Sequence, residues 1–170
     1  MNDQLKKLVA LAMSEVGTRE EGGNNRGKEI VEYQKATWLE PGPWPWCAAF
    51  TCWLLREWLE YPEVAFCLNI PPGKENTWRC QDASAFGWEK WAKAKGLQVL
   101  SENSKAKAGD IVIFDFSHIG IVVFDQAGSF IETVEGNTNG KGERDSTAGD
   151  GVWRKHRASS LAKCYIRLIA

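Results

Sequence analysis

Two residues of the sequence are suited to nucleophilic chemistry: a cysteine at the start of a predicted helix and a histidine at the start of a predicted strand. Cys47 follows the proline-rich turn 41–45 and precedes an apolar stripe with helical spacing. Unpaired backbone N–H groups and the helix dipole favour an anion at such a position, as a thiolate nucleophile requires. His118 lies beside a turn. Position alone leaves an ordinary alternative for each, a buried free thiol for Cys47 and a structural histidine for His118.

A predicted hairpin brings two polar residues to the same sheet face as the histidine. Taking 127–128 as a two-residue turn sets His118 opposite Asn137 and Gly120 opposite Glu135. Directly opposed residues and those two further along share a face, whereas a slip of one residue would separate them. A polar acceptor beside His118 would fix its tautomer and stabilise the imidazolium. The register therefore predicts a Cys-His-Glu or a Cys-His-Asn arrangement.

Four segments in series carry a family resemblance. They are WCAAF at 46–50, AGDIVIF at 108–114, HIGIV at 118–122 and VEGNT at 134–138. Their order, spacing and local residues resemble the cysteine, histidine-dependent amidohydrolase/peptidase (CHAP) family. The resemblance implies a papain-like α+β fold and an enzyme that cleaves amide bonds of bacterial peptidoglycan. Cysteine–histidine chemistry requires no metal, and no cofactor is expected.

The resemblance also implies a role for each matching residue. Cys47 corresponds to the nucleophile, His118 to the general base and then acid, Glu135 to the orienting carboxylate and Asn137 to a nearby polar partner. Many members of the family have glutamine immediately before the nucleophile, where this chain has Trp46. This departure removes the expected side-chain donor to the oxyanion.

Other groups could replace that donor or line the substrate groove. The backbone N–H of Cys47 can supply one oxyanion donor, and Asn24, Asn25 and Gln34 are candidates for the second. Of the nine tryptophans, Trp44 and Trp46 flank the nucleophile and are predicted to contact substrate. Trp46 has an equal alternative as a core residue at the helix start.

We therefore expect a peptidoglycan hydrolase, either an N-acetylmuramoyl-L-alanine amidase or a stem-peptide or cross-bridge endopeptidase. The polar N-terminus lacks the features of a secretory signal. We expect synthesis in the cytoplasm and action in the periplasm or wall, as for a phage endolysin or an injected effector. An injected effector would have an immunity protein as partner. The alternatives are a cytosolic thiol hydrolase or acyltransferase on the same fold and a non-catalytic wall-binding module.

Composition favours one globular unit. The chain has 170 residues, 44% of them hydrophobic, and a net charge of −1, and its length suits one domain. Together with the resemblance, this leads us to expect one catalytic domain over 1–170; a monomer is also expected. Neither nucleic-acid binding nor membrane insertion is expected, and the basic run 154–157 is interpreted as a solvated strand face. Five cysteines give an odd count without a zinc-ribbon pattern, and a Cys67–Cys80 bridge stays open.

The second half of the chain also contains a long loop with oxygen ligands. The sequence 136–151 is predicted to be a surface loop, whose neighbourhood includes the acidic and amide residues Glu135, Asn137, Asn139, Glu143, Asp145 and Asp150. Such residues suit calcium, but the EF-hand pattern is absent, and a solvated loop is the preferred interpretation.

Periodicity divides the chain into a helical half and a strand half. The predicted helices are one from Asn2 or Asp3 to Gly17, a short one from Ile30 ending before Pro41, one from Pro45, and one from Asp82 to Gly96. The segment 62–82 is predicted to be irregular. The predicted strands are 110–116, 119–124, 130–135, 151–156 and 163–169. Helices followed by hairpin-connected strands indicate an α+β fold with helices against one side of an antiparallel sheet.

Overall fold

The computed structural model describes residues 1–141 and 148–170. Its helices are α1 (Asp3–Ser14), α2 (Lys28–Gln34), α3 (Cys47–Leu59), α4 (Pro62–Cys67), α5 (Glu75–Trp78) and α6 (Gly87–Ala94). Its strands are β1 (Gln98–Ser101), β2 (Ile111–Phe114), β3 (His118–Val122), β4 (Phe130–Thr138), β5 (Gly151–Ala158) and β6 (Ala162–Arg167), with a 3-10 helix at Ser159–Leu161. The predicted α+β class, with helices first and an antiparallel sheet second, is confirmed.

The six strands form one antiparallel sheet in the order β1-β6-β2-β3-β4-β5. Strands β2 and β3 are buried along their whole length. Ile111 and Ile113 belong to the core shared with the helices, whereas Val112 and Phe114 belong to a second apolar cluster. Since successive side chains point to opposite faces, the sheet is covered on both sides. This explains why these strands are continuous apolar runs in the sequence.

Helix α3 is the centre of the helical layer. Ten of its 13 residues are buried, and it packs against α1, α2, β3 and β4. The indole N–H of Trp58 donates to the carbonyl of Gln4 (2.7 Å), which ties α3 to α1. Helix α1 begins as predicted, because the Asn2 side chain accepts from the N–H of Gln4. No helix within the described ranges is both long and apolar enough to cross a lipid bilayer.

The structure corrects several predicted boundaries. The segment 62–82 contains α4 and α5, because Pro62 occupies the first turn of α4, where its missing N–H costs nothing. Helix α6 begins at Gly87 instead of directly after Asp82, whose carboxylate accepts from the N–H of Ser84 in a turn. Strand β1 has no counterpart among the predicted strands. Strand β4 continues to Thr138, so the connection to β5 is shorter than predicted.

Candidate active site

Cys47 is the first residue of α3, with Trp46 as the N-cap. The N–H of Phe50 donates to the carbonyl of Trp46 (2.9 Å) and closes the first helical turn. The N–H groups of Cys47 and the next two residues therefore occupy the positions without a partner inside the helix. The Cys47 side chain is 7% exposed. A thiolate or an oxyanion formed here would face the positive end of the helix dipole.

The loop before Cys47 is fixed by a buried glutamine. The side-chain amide of Gln34 donates to the carbonyls of Gly42 (2.7 Å) and Trp44 (3.2 Å), while its oxygen accepts from the N–H of Gly42 (3.1 Å). These bonds use both ends of the amide. Gln34 thus positions the loop and is not free to serve as the oxyanion donor that was one of the possibilities. Of the other two candidates, Asn24 is exposed and Asn25 is buried with a φ of 57°.

His118 and Glu135 form a fully buried pair. Nε2 of His118 lies 2.8 Å from Oε2 of Glu135, and neither side chain is exposed. Nδ1 of His118 is buried and has no hydrogen-bond partner among the described residues. Burial lowers the pKa of His118, but the interactions with Cys47 and then with Glu135 outweigh it and raise this pKa from 6.5 to about 9. The raised pKa of His118 thus depends on both Cys47 and Glu135.

Glu135 has two further partners. Its Oε1 accepts from Oγ1 of Thr133 (2.5 Å) and Nε of Arg157 (3.0 Å), and its Oε2 accepts from a terminal nitrogen of Arg157 (2.6 Å). Burial raises the pKa of Glu135, but His118 and Arg157 outweigh this effect and hold it at about 2. The carboxylate is thus ionised in spite of its burial.

Sequence reasoning missed Arg157, because the run 154–157 was interpreted as a solvated strand face. That interpretation is wrong for half of the run: Lys155 and Arg157 are 9% and 2% exposed, whereas Arg154 and His156 are exposed. Side chains alternate along β5, so four consecutive charged residues cannot all face solvent when one face is covered. That alternation was the signal available in the sequence.

Asn137 does not join His118 in the predicted way. Strand β4 bulges between Glu135 and Thr138, and Asn137 adopts a φ of 53°, which interrupts the alternation of side chains. Asn137 is 3% exposed, and within the described part of the chain the carboxylate, not this amide, is the hydrogen-bond partner of His118. Its role as a nearby polar partner stays a prediction.

The predicted β3–β4 register is present, although the predicted turn is not. Val122 pairs with Thr133, and Gly120 then falls opposite Glu135. The turn itself lies at 128–129, closed by an Ala127–Phe130 bridge, one residue later than predicted. The register at the turn differs from the register in the strands by two residues. Because a shift of two residues keeps each side chain on the same face of the sheet, the predicted faces are present.

Gly120 leaves the space that the Glu135 side chain occupies. A Cβ atom at Gly120 would lie 2.6 Å from Cγ of Glu135 and 3.1 Å from the carbonyl oxygen of Val134. Gly120→Ala should therefore displace the carboxylate and reduce hydrolysis of purified sacculi by about a hundredfold, as small misplacements of catalytic groups do. Gly128→Ala is the control for backbone strain alone: its φ of 67° disfavours alanine, but nothing lies within 4 Å of the added Cβ, so the folded variant should keep the native rate. A Gly120→Ala protein with undiminished hydrolysis would contradict this account.

The depressed pKa of Glu135 predicts an acid-dependent stability. Since its pKa falls from 4.5 to about 2 on folding, Glu135 contributes stability that is present above pH 4.5 and lost as the pH falls toward 2. The Tm of the native protein should decrease more steeply over this window than that of Glu135→Gln. Glu132→Gln, which removes an accessible carboxylate of the same strand, should keep the native slope. Equal slopes for the native protein and Glu135→Gln in thermal melts would refute the assignment.

The two tryptophans beside Cys47 lie in different surroundings. Trp46 has no exposed surface, stacks on Tyr33 (5.6 Å between ring centroids) and donates its indole N–H to Glu20 (2.9 Å). Trp46 is therefore a core residue at the helix start, which was one of the two alternatives. The predicted contact of Trp46 with substrate is wrong, because its side chain has no exposed surface. Trp44 is half-buried, with its indole N–H on the carbonyl of Glu40, and stays a candidate for substrate contact.

Glu135, Asn139 and Asp150, three of the residues near the long loop, are engaged in internal hydrogen bonds. Asn139 donates to the carbonyl of Ala148 and accepts from the N–H of Lys141, while Asp150 accepts from the indole of Trp153. Glu143 and Asp145, also considered as calcium ligands, lie outside the described residues. No cluster suited to a metal ion occurs in ranges 1–141 and 148–170. All five cysteines are free thiols.

Comparison with known proteins agrees with this geometry. The family model described as CHAP domain matches residues 39–137, more than half of the chain. No curated protein matches the chain. The matched segment contains Cys47, His118 and Glu135, whereas Arg157 lies beyond it. The chain belongs to the CHAP family of peptidoglycan hydrolases.

Proposed function

We propose that this protein cleaves an amide bond of peptidoglycan with Cys47 as nucleophile, His118 as acid and base, and Glu135 as the group that orients His118. One observation carries the proposal: Glu135 binds Nε2 of His118, the other ring nitrogen, Nδ1, is buried without a described hydrogen-bond partner, and Cys47 is close enough to raise the pKa of His118. With Nε2–H donated to the carboxylate, Nδ1 is the atom that exchanges the proton with the thiol.

The proposed reaction has two steps. In the first, the Cys47 thiolate attacks the amide carbonyl carbon, and the tetrahedral intermediate collapses as His118 Nδ1 gives its proton to the leaving nitrogen. An amine leaves, and a thioester to Cys47 remains. In the second, His118 takes a proton from water, the hydroxide attacks the thioester, and the carboxylic acid leaves with return of Cys47 to its resting state. The backbone N–H of Cys47 supports the oxyanion in both steps.

The bond and the setting belong to the same proposal. The scissile bond is either the one between the lactyl group of muramic acid and L-alanine or one within the stem peptide or cross-bridge. We propose that residues 1–170 act as one catalytic domain, as an endolysin or a delivered lytic effector. The helical half supports this view, since α1 and α2 both pack on α3, which carries Cys47.

Digestion of purified sacculi, followed by mass spectrometry of the muropeptides, tests this proposal. Free lactyl-muramic ends would identify an amidase, and new amino termini within the stem or bridge would identify an endopeptidase. The expected result is one of these products, formed by the native protein and blocked after alkylation of Cys47. Sacculi that release no fragment at all would overturn the proposal and favour a thiol hydrolase or acyltransferase with another substrate.

A further inference from the structure

Arg157 is a buried cation on a strand that the family model does not cover. In the β4–β5 register it lies opposite Ile131, on the face that also carries Thr133 and Glu135. Its side chain extends along β4, past Thr133. Two of its guanidinium nitrogens donate hydrogen bonds to the carboxylate of Glu135, at 3.0 Å and 2.6 Å. Two parallel N–H bonds from one guanidinium fix the plane of a carboxylate as a single bond cannot.

The hydrogen bonds of Glu135 are complete. Oε1 accepts from Arg157 and Thr133, and Oε2 accepts from Arg157 and His118. Four donors match the acceptor sites of an ionised carboxylate. Rotation of the carboxylate would break at least one bond to Arg157. The position of the guanidinium therefore determines where His118 finds its acceptor.

Arg157 also balances the charge of the buried groups. If Cys47 and His118 form a thiolate–imidazolium pair, the charges of these two and of Glu135 and Arg157 cancel. If the proton returns to sulfur, Glu135 and Arg157 still cancel. Without Arg157, these groups would carry one net negative charge in either state, and an uncompensated buried charge is strongly unfavourable.

Two aromatic rings hold His118 and the guanidinium in one cluster. Phe114 and Phe116 stack on the imidazole, with ring centroids 5.9 Å and 5.7 Å away. The same rings lie 5.4 Å and 5.6 Å from the guanidinium carbon of Arg157. A planar guanidinium suits both the rings and the carboxylate fork, whereas a lysine ammonium would act as a point charge.

A second cation lies on the same face of β5 but is directed elsewhere. Lys155 is opposite Thr133, and its Nζ donates to the carbonyl oxygens of Asn139 (2.7 Å) and Lys141 (3.2 Å). Burial lowers the pKa of Lys155, and the charge of Arg157 lowers it further. The ammonium group thus supports the β4–β5 connection, and Arg157 is the cation bonded to Glu135.

We infer that Arg157 is a positioning residue of this active site: it holds the carboxylate of Glu135 ionised and oriented against Nε2 of His118. The inference rests on the proposed function. Two hydrogen bonds of Arg157 go to the carboxylate of Glu135, so Arg157 acts on His118 through Glu135. Removal of the positive charge of Arg157 should leave the buried carboxylate of Glu135 with less charge compensation. Glu135 should then take up a proton in mild acid and no longer stabilise the imidazolium of His118.

The test compares Arg157→Met with Arg157→Lys. The rate of Cys47 alkylation by iodoacetamide, followed by peptide mass spectrometry, reports the state of the Cys47–His118 pair without any wall substrate. Arg157→Met should slow alkylation about tenfold near neutral pH. Near pH 5 the slowing should be about tenfold greater, because each pH unit below the pKa of the Glu135 carboxyl lowers its ionised fraction about tenfold. Hydrolysis of sacculi should follow the same pattern. Arg157→Lys, which keeps the charge, should recover part of both rates.

Arg154→Met is the matched control. Arg154 pairs with Glu132 on the same two strands, but this pair is accessible to solvent, and its loss should leave both rates and their pH dependence unchanged. An Arg157→Met protein that loses the same fraction of activity at every pH would assign Arg157 a merely structural role and overturn the inference. Native rates in Arg157→Met would overturn it as well.

A double variant keeps the inference falsifiable if Arg157→Met fails to fold. Glu135→Gln/Arg157→Met removes both charges and should show the rates of Glu135→Gln alone, because Arg157 acts through Glu135. A double variant slower than that single variant would refute the inference. The native protein could fail to hydrolyse sacculi while Arg157→Met still slows the alkylation of Cys47. This pair of results would reject the proposed substrate and retain the role of Arg157.

Discussion

Cys47→Ala is expected to abolish the release of muropeptides from purified sacculi, with a loss of about four orders of magnitude or more. The reason is chemical: alanine has no atom able to form the thioester, and the remaining groups of the site can only polarise the amide. Cys47→Ser should fail in nearly the same way, because a hydroxyl gives up its proton far less readily than a thiol. The measurement is the initial rate of fragment release, quantified by mass spectrometry.

The variant should lose activity without losing its fold. Removal of one sulfur from a side chain at the helix start should cost about 1 kcal/mol and lower the Tm by about 2–4 °C. Cys67→Ala is the matched control, since Cys67 is an exposed free thiol at the end of α4, and it should digest sacculi at the native rate. Fragment release by folded Cys47→Ala at a native rate would remove Cys47 from the mechanism.

The pairing of His118 with Glu135 could be predicted from the sequence, because the face of a strand depends on the parity of the register. The predicted turn is displaced by one residue, yet the closing pair Ala127–Phe130 and the pair Val122–Thr133 differ by two residues in register. A displacement of two leaves every side chain on its face. The same parity argument fails for Asn137, because a bulge after Glu135 interrupts the alternation.

The role of Arg157 could not be predicted in the same way: the alternation along β5 indicates that part of the run 154–157 is buried, but not which residue binds Glu135. Arg157 lies in a run of four charged or titratable residues, which is typical of a solvated surface, and its partner is remote in sequence. Its environment depends on the β4–β5 register and on the cover that the second apolar cluster gives to that face of the sheet. Neither of these is a local property of the run.

The loop before the nucleophile shows a similar limit. Gln34 was a possible oxyanion donor because it is an amide upstream of Cys47, and nothing in the sequence indicates that both ends of that amide bind the backbone of Gly42 and Trp44. Likewise, Trp46 carries no local sign of the bond from its indole to Glu20. The start of α1 could be predicted from its cap, but long-range polar contacts could not.

His118→Ala is expected to reduce hydrolysis of sacculi about as much as Cys47→Ala does, because the two residues act as one unit. Without the imidazole, no group accepts the thiol proton or protonates the leaving amine. The double variant Cys47→Ala/His118→Ala should therefore be no slower than either single variant. His156→Ala is the matched control: His156 is the other histidine, exposed on β5 and stacked on Phe130, and its loss should leave the rate unchanged.

The raised pKa of His118 gives this prediction a second measurement. His118 must be protonated to release the amine, and with a pKa of about 9 it holds its proton through neutral pH. The value of kcat/KM should therefore fall as the pH rises through about 9, and His156→Ala should keep this limb. The stability that His118 contributes has the same sign: it is present below pH 6.5 and is lost as the pH rises through about 9. An alkaline limb unchanged in Glu135→Gln would contradict the role of the carboxylate, because removal of its charge should lower the pKa of His118 and move the limb toward neutral pH.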